Sequence, residues 1–428
     1  MNTRSELGNR RRVPWRTRTA VGCCLVSFAL ADLLRAAEPG VPAAAPAAGT
    51  SDAPRIAGMR LTGGAGKPDT DLVPLPPAEF MPDAGGAPAA ADEWLIAPIP
   101  GYSPTFGATL AVGVAKLYRP AGREQEPRPW TTGGGAFAAE NKSWGLAFGH
   151  KMGLGLDTWR LSGGALYGDL IYDFYGIGNE AGKNDRSVSL HHQAAAAMVS
   201  ALRKVGSRWF VGANLAAIDS RIQVADNATP PPEVELPPEL AAPNATFAPL
   251  LVSIAPRVQY DSRNSEYYPT SGILFDAKIS VCSESFGSDF DFWTYVVSYN
   301  QYFAWSANDV IAIRFHGRLA EGDVPFFAMS SLGQGSDLRG YTPGRYRDNA
   351  LLTLQGEYRR RISKRWYAVA FGGVGGVGPT LRDLGQALPA GGVGVRYVLA
   401  EENHIAMRLD AAWGRDDSAF YLSVGEAF

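Results

Sequence analysis

Apolar and polar residues alternate with a period of two from about Trp94 to Phe428, and this pattern restricts the chain to β structure. One segment shows the alternation well: Ile311, Ile313, Phe315 and Leu319 oppose Arg314, His316 and Arg318. Successive side chains of a strand point to opposite faces, so each such strand has one apolar and one polar side. The sequence therefore predicts an all-β protein whose sheet separates two different environments.

The length and number of the strands favour a transmembrane antiparallel β-barrel over a soluble sheet. The predicted strands recur about every twenty residues, reach ten residues or more and often end in aromatic residues, as in outer-membrane barrels. Fifteen strands can be assigned, and a short one near 93–99 makes about sixteen, an even number. A secreted β-sandwich or lipocalin-like barrel would also alternate, and it is the alternative fold.

The chain ahead of the predicted barrel differs from it in composition. Residues 1–37 place a basic segment before a short apolar run, the order found in a secretory signal peptide. A lipoprotein signal ending at Cys23 is the alternative. Residues 38–92 are rich in Ala, Pro and Gly and predict a disordered linker. We therefore expect three parts: a signal peptide at 1–37, a linker at 38–92 and an outer-membrane barrel at 93–428.

Loop lengths predict an orientation for this barrel. If both ends of the barrel are periplasmic, the longer connections, such as 223–247 and 320–349, fall outside the cell and the turns are mostly short. The connections at 119–129 and 262–270 are long for periplasmic turns. The predicted location is the outer membrane of a Gram-negative bacterium, with outer-membrane lipid as the first partner.

Three motifs in the C-terminal half give a resemblance to a known family. The first is Leu338-Arg339-Gly340-Tyr341 in the sixth outer loop. The second is "YDSRNSEYYPTSG", with Tyr260, Asp261, Arg263, Pro269 and Gly272. The third is the pair of glycine-containing strands that follow the loop. In this order they resemble the bacterial surface antigen family, the barrels of outer-membrane assembly factors of the BamA/TamA kind.

The resemblance implies a position for the loop arginine and a partner for it. In the family, the loop folds back into the lumen and its arginine pairs with an aspartate of the thirteenth strand. Gly373 stands at that position here. Since a charged guanidinium in a partly dry lumen needs a partner, we predict Glu357, which shares the lumen-facing parity of the twelfth strand, as the putative partner of Arg339. An ordinary solvated loop arginine is the alternative.

The last residues resemble the terminal-strand signal of outer-membrane barrels. Phe420, Leu422 and Val424 occupy alternate positions before Phe428, and we expect the last strand to run to the end of the chain. Glu426 departs from this pattern, because a hydrophobic residue is usual there.

The resemblance implies insertion or translocation of proteins at the outer membrane through a lateral seam. Unfolded barrel clients or periplasmic accessory proteins are then the further partners. Family members carry periplasmic POTRA domains, but the 38–92 linker has neither the length nor the periodicity of one. A passive pore or structural barrel without insertase activity is the alternative, and the basic residues of the predicted lumen favour anions for it.

Other kinds of function lack support in the sequence. The nearly balanced charge, −2 overall, argues against nucleic acid as a partner. The five histidines show no metal-ligand spacing, and no serine–histidine arrangement typical of an outer-membrane phospholipase stands out. We therefore predict no catalytic residues, no metal, no cofactor and no enzymatic activity.

Overall fold

The computed structural model describes residues 93–103, 105–126, 129–184, 186–226, 228–333, 337–400, 404–415 and 417–428. These residues form one antiparallel sheet of sixteen strands, which we number β1 to β16. The predicted all-β barrel is confirmed, and its first strand, expected near 93–99, is longer than predicted and spans Glu93–Ser103. The predicted signal peptide and linker lie outside the described residues.

The first eight strands are Glu93–Ser103, Gly107–Tyr118, Trp130–Ala139, Trp144–Leu154, Trp159–Phe174, Val188–Lys204, Trp209–Val224 and Leu250–Asp261. The last eight are Gly272–Cys282, Phe292–Ala304, Asp309–Gly322, Ala350–Arg361, Trp366–Gly378, Leu388–Ala400, Ile405–Trp413 and Ser418–Val424. Four short 3-10 helices occur at Ala181–Asn184, Pro238–Leu240, Glu284–Phe286 and Phe326–Ala328. Within the described ranges, no helix is long and apolar enough to cross a membrane.

Each strand pairs with the next one along the chain, so β1 and β16 are the two ends of the sheet. The sheet curls until Cα atoms of β1 and β16 come within 8 Å of each other. In the described part of the chain, no backbone ladder joins these two strands. We call the space between β1 and β16 the seam.

The connections alternate along the chain, which defines two ends of the barrel. Long connections at 175–187, 225–249 and 323–349 lie at what we call the loop end. Connections such as 205–208, 305–308 and 362–365 lie at the turn end, where β1 begins and β16 ends. The residues 225–249 are named loop 4 and the residues 323–349 loop 6. Loop 6 contains a two-residue ladder between Ser330–Ser331 and Arg347–Asp348.

The two faces of the wall have opposite chemistry, as the alternation predicts. Outward side chains such as Leu146, Phe148 and Trp293 are exposed, which suits contact with lipid tails. Inward side chains of β11 and β12 include the buried Arg314 and Arg359. A one-residue shift of register would exchange these faces, so the alternation also fixes the pairing.

Apolar side chains of two loops pack into the lumen at its loop end. Val234 and Leu240 of loop 4 join Phe326 of loop 6 in one cluster with inward residues of β5 to β7. A second cluster contains Leu338, Tyr341 and Tyr346 of loop 6 and inward residues of β12 to β14. These contacts hold loop 6 against two parts of the wall, β5 to β7 through Phe326 and β12 to β14 through Leu338, Tyr341 and Tyr346.

Candidate functional site

Loop 6 reaches into the lumen, and its Leu-Arg-Gly-Tyr motif is buried there. Arg339 is 1% exposed and Tyr341 is 0% exposed, although both belong to a connecting segment. Gly340 has a φ of 113°, and a Cβ there would lie 2.8 Å from the backbone carbon of Trp413 on β15. Only glycine fits this position, because other residues are strained at such a φ and have no room. The motif is therefore the part of the loop that makes close contact with the wall.

Arg339 lies between two carboxylates of the barrel wall. Its Nη2 is 2.5 Å from Oε2 of Glu357 on β12, and its Nη1 is 2.7 Å from Oδ2 of Asp410 on β15. Its guanidinium carbon also lies 3.5 Å from the centre of the Phe371 ring on β13. The structure thus brings together the predicted pair of Arg339 and Glu357. The contact uses one nitrogen for each carboxylate, so it is not bidentate to Glu357.

Asp410 is the partner that the sequence analysis missed. Its lumen-facing position was visible in the alternation of 406–413, where Arg408 and Asp410 oppose Met407 and Leu409. The alternation gives the face of the wall, but it does not give the height at which the loop meets that wall. Choosing between inward acids therefore required the register between β12 and β15, which only the folded barrel supplies.

The two carboxylates are shared with two further arginines of the wall. Arg359 Nε lies 2.7 Å from Oε1 of Glu357, and Arg396 Nη1 lies 2.5 Å from Oδ1 of Asp410. Glu426 adds a third carboxylate, with its Oε2 2.9 Å from Arg396 Nε and 3.8 Å from Arg359 Nε. We call these six side chains the lumen charge network.

The charged groups of this network are buried, so they interact with one another and not with water. The side chains of Arg339, Glu357, Arg359, Asp410 and Arg396 are 0% exposed, and that of Glu426 is 4% exposed. Removing charges from water is costly, and the cost is offset only when opposite charges meet with good geometry. Three arginines face three carboxylates here, and a further arginine, Arg408, places Nε 3.8 Å from Asp410 Oδ2. Each charge of the network therefore has an opposite charge beside it, and these pairs hold the loop against the wall.

Gly373 occupies the place where the family resemblance implies an acid, and the loop packs against it. A Cβ at Gly373 would lie 2.5 Å from the carbonyl oxygen of Leu354 and 2.9 Å from Cδ1 of Leu338. No side chain of aspartate size fits there without displacement of the loop. The apolar side chain of Leu338 therefore lies where the family's acid would need space.

Loop 6 is also hydrogen-bonded to β14, to β16 and to the connection between β15 and β16. The N–H of Gly340 donates to the Tyr421 hydroxyl on β16 at 2.9 Å, and the N–H of Thr342 donates to Asp417 Oδ2 at 2.5 Å. The Tyr341 hydroxyl donates to the carbonyl oxygen of Pro389 on β14 at 2.6 Å. The loop thus connects β12, through Arg339, with the last strand of the sheet.

The second motif forms the turn between β8 and β9. Arg263 places Nε 3.0 Å from Asp261 Oδ1 and Nη2 3.2 Å from Oδ2, a forked pair. Burial disfavours the charge of this guanidinium, but the Asp261 carboxylate outweighs burial and raises the pKa of Arg263. Gly272 has a φ of 101°, and a Cβ there would lie 2.3 Å from the carbonyl oxygen of Ser262. These residues shape the turn.

The remaining residues of this motif pack on aromatic neighbours. The Tyr260 ring lies 5.0 Å from that of Trp209, at the outer surface of the turn end. Tyr268, which precedes Pro269, packs 4.9 Å from Tyr367, and the Arg359 guanidinium lies 5.9 Å from its ring. Burial, reinforced by the Glu426 carboxylate, raises the pKa of Tyr268. This turn therefore borders the lumen charge network.

The end of the chain departs from the prediction. The last strand was expected to reach Phe428, but β16 ends at Val424. Gly425 has a φ of 97°, and the residues after it turn towards the lumen. Arg359 Nη2 donates to the carbonyl oxygen of Phe428 at 3.0 Å. Phe420, 60% exposed, and Leu422 stay on β16 with Val424, whereas Phe428 has left the strand. The attraction of Glu426 to Arg396 and Arg359 accounts for the bend.

A family model described as the Omp85 superfamily domain matches residues 131–428. No curated protein matches the sequence. Among solved structures, BamA from Haemophilus ducreyi lacking POTRA domains 1-3 is similar, with a TM-score of 0.52, 13% identity and coverage of 78% of this chain and 70% of that one.

Two CdiB structures are similar to the same degree. The protein from Acinetobacter baumannii gives a TM-score of 0.53 at 12% identity over 78% of this chain, and that from Escherichia coli gives 0.53 at 11% over 79%. The chain spans 59% and 63% of these two relatives, less than two thirds of either. At such low identity, these likenesses show the fold alone.

Proposed function

The chain belongs to the Omp85 superfamily, and from this premise we propose that it assists the insertion or translocation of proteins at the outer membrane of a Gram-negative bacterium. The family resemblance seen in the sequence is confirmed, and the chain is an Omp85-type outer-membrane barrel related in fold to BamA and CdiB. The proposed activity acts on polypeptides through the seam and requires no bond-making chemistry.

The observation that carries this proposal is the unpaired seam. β1 and β16 lie within 8 Å of each other, yet no ladder joins them. An unpaired strand edge presents backbone N–H and C=O groups, which are costly in a bilayer and attract another strand. A seam of this kind supplies both an opening towards lipid and a template for an entering segment.

Loop 6 supports the proposal by holding β16 in place. Arg339 of the loop contacts Glu357 on β12, and the neighbouring Gly340 contacts Tyr421 on β16. One loop thus connects the interior of the sheet to the edge of the seam. The lumen charge network also binds the residues that follow β16, through Glu426. We infer that the loop keeps the lumen in shape while the seam admits a client.

The proposed partners follow from the same surfaces. The exposed apolar side chains on the outer face suit outer-membrane lipid. An unfolded barrel protein is the proposed client, because its strands alternate in the same way and match the length of the wall. A periplasmic accessory protein is the further proposed partner, acting at the turn end.

A passive pore is the second candidate, and one cavity favours it. The lumen contains a cavity of about 370 Å³ lined by basic side chains, among them Lys278 and Arg314. Asp276 and Glu266 also line it, and Arg257 is paired with Asp276 at 2.6 Å. The loop end is filled by the apolar clusters of loops 4 and 6. This packing favours the insertion function over steady conduction.

The deciding experiment places the full chain in proteoliposomes and follows the folding of a small unfolded barrel protein. We expect wild type to accelerate folding relative to empty liposomes, and Arg339→Ala to lose most of that acceleration. Absence of acceleration together with steady ion conductance would identify the passive pore instead. Gly372→Ala is the matched control, because a Cβ there meets only the carbonyl oxygen of Ala390 at 3.7 Å.

A further inference from the structure

A second cavity lies beneath loop 6, and no part of the proposed function uses it. It has a volume of about 170 Å³, and its lining includes Tyr172 on β5, Arg318 on β11, and Ser331 and Arg347 of loop 6. An engineered apolar cavity of roughly 150 Å³ is large enough to hold benzene, so this one has room for a small ligand of several atoms. Its lining, by contrast, carries charged and hydroxyl groups, which suit a polar ligand.

One hydroxyl group of this cavity has an unused capacity for hydrogen bonding. Ser331 is 6% exposed, and its hydroxyl has no hydrogen-bond partner among the described residues. Buried hydroxyl groups usually have a partner, because burial without one costs free energy. Ser331 lies opposite Arg347 in the two-residue ladder of loop 6, so both side chains are on one side of the loop and line the cavity. A ligand in the cavity would therefore meet this hydroxyl and this guanidinium together.

Neutral groups orient the two arginines of the cavity. Arg318 donates to the Ser330 hydroxyl at 2.9 Å and to the carbonyl oxygen of Ala328 at 2.7 Å. Arg347 is 3% exposed, and its guanidinium carbon lies 5.5 Å from the centre of the Phe174 ring. These contacts hold the guanidinium groups in place without neutralising their charge. Guanidinium groups match the oxygens of a phosphate both in geometry and in charge.

One carboxylate, that of Asp337, also lines the cavity. Its Oδ1 accepts a hydrogen bond from the N–H of Leu338 at 2.8 Å, next to the loop motif. Two arginines and one carboxylate give the described lining a surplus of positive charge. In a buried cavity the effective dielectric constant is lower than in water, so such a surplus attracts an anion more strongly.

The route to this cavity from the turn end is also positively charged. His316 on β11 lines both this cavity and the cavity of about 370 Å³ that reaches the turn between β8 and β9. The described lining of the larger cavity contains six arginines and lysines but four carboxylates. Each carboxylate is already paired: Asp261 with Arg263, Glu266 with Lys151, Asp276 with Arg257 and Glu426 with Arg396. An anion that enters from the turn end therefore meets a surplus of positive charge on its way to His316.

We propose that the cavity beneath loop 6 binds inorganic phosphate, with Arg318 and Arg347 opposite its charge and the Ser331 hydroxyl as a further donor. A phosphate bound there contacts both β11 and loop 6 and holds them together. A ligand that binds only the closed position of the loop stabilises that position by mass action. The inference assigns a small-molecule ligand to the lumen, and it does not depend on insertion of a client.

Titration calorimetry of the full chain in detergent micelles with inorganic phosphate tests the binding. We expect a saturable heat with phosphate and none with chloride at the same ionic strength, because chloride offers one atom to several donors. Amide exchange of Ser330–Ser331 and Arg347–Asp348 should slow about tenfold when phosphate is present at ten times its dissociation constant. The absence of a saturable heat, or equal heats with both anions, would overturn the inference.

The variant Ser331→Ala tests the location of the site. It removes a hydroxyl without a partner among the described residues, so the fold should tolerate the change. Phosphate should bind about tenfold more weakly, the effect of one hydrogen bond to a charged group. Ser220→Ala is the matched control, because the Ser220 hydroxyl on β7 is buried in the same way but does not line the cavity. Equal affinities of the two variants for phosphate would overturn the assignment to this cavity.

The variant Asp337→Asn tests the sign of the ligand's charge. It keeps an oxygen for the Leu338 N–H and removes the negative charge, so phosphate should bind several-fold more tightly. Weaker binding would show that the carboxylate attracts the ligand, and would overturn the inference. Phosphatidylglycerol vesicles without dissolved phosphate distinguish a lipid headgroup from the dissolved ion. Slow amide exchange of Ser330–Ser331 in these vesicles, with no further effect of added phosphate, would overturn the assignment to the dissolved ion.

Discussion

The hydroxyl of Tyr421 on β16 accepts a hydrogen bond from the N–H of Gly340 in loop 6, at 2.9 Å. This bond attaches the last strand, which has a neighbour on only one side, to a loop that is fixed by Arg339. The position of the seam edge thus depends on the residues of the loop motif. The first prediction follows from this relationship.

Tyr421→Phe should loosen the contact between loop 6 and β16. The change removes the acceptor of the Gly340 N–H, and a net hydrogen bond contributes about 1 kcal/mol. We expect amide exchange at Gly340 to accelerate by roughly fivefold. Tyr397→Phe is the control, since its hydroxyl meets Arg365 at an exposed site. Equal exchange rates in both variants would contradict the prediction.

Arg339→Ala should destabilise the barrel and release loop 6. The change leaves Glu357 with Arg359 at 2.7 Å and Asp410 with Arg396 at 2.5 Å, each with a second arginine at 3.8–3.9 Å. We therefore expect a loss of about 3 kcal/mol, the low end for breaking a buried ion pair. The midpoint of urea unfolding in lipid vesicles measures this loss, and protease cleavage within loop 6 reports its release. If loop 6 stayed protected from protease in a folded Arg339→Ala protein, Arg339 would not be the residue that holds the loop in place.

Asp410→Asn should weaken the loop about as much as Glu357→Gln does, because each carboxylate takes one nitrogen of Arg339. A double-mutant cycle between Arg339→Ala and Asp410→Asn should give a coupling energy of about 0.5–3 kcal/mol, as expected for contacting groups. The same cycle with Glu357→Gln provides the comparison. Additive effects in either cycle would show that the carboxylate concerned does not hold the arginine.

Gly373→Ala should destabilise the protein by about 1–3 kcal/mol, the usual cost of overpacking. The new Cβ would press on the carbonyl oxygen of Leu354 and on Leu338. Gly372→Ala, one residue earlier and facing the other way, should be tolerated. Leu338→Ala should recover part of the loss in Gly373→Ala when both variants are unfolded by urea, and no recovery would locate the strain elsewhere.

The sequence was informative wherever a pattern of period two decided the outcome. Strand number, the faces of the wall and the inward position of Glu357 all follow from alternation, because lipid and lumen impose opposite requirements on successive residues. The first strand was expected near 93–99 because it gives an even number of strands, and the structure extends it to Glu93–Ser103, although it contains Pro98 and Pro100.

The features that were missed depend on register and on the ends of elements. Asp410 meets Arg339 only because three strand pairings set β15 at the height of loop 6, and alternation contains no information about height. The inward turn of Glu426 and Phe428 depends on Gly425 and on two arginines far away in the sequence. The local alternation that suggests a strand to the end of the chain contains no information about the conformation of Gly425 or about the distant arginines.

The burial of the lumen charge network determines how loop 6 responds to salt outside the cell. Dissolved ions weaken charge pairs by gathering in the water between them, over a Debye length of about 8 Å at physiological ionic strength. The contacts of Arg339 are dry, and its two carboxylates are shared with Arg359 and Arg396. The contacts of loop 6 with the wall should therefore be equally stable at low and at high ionic strength, and the outer surface of a bacterium is exposed to both.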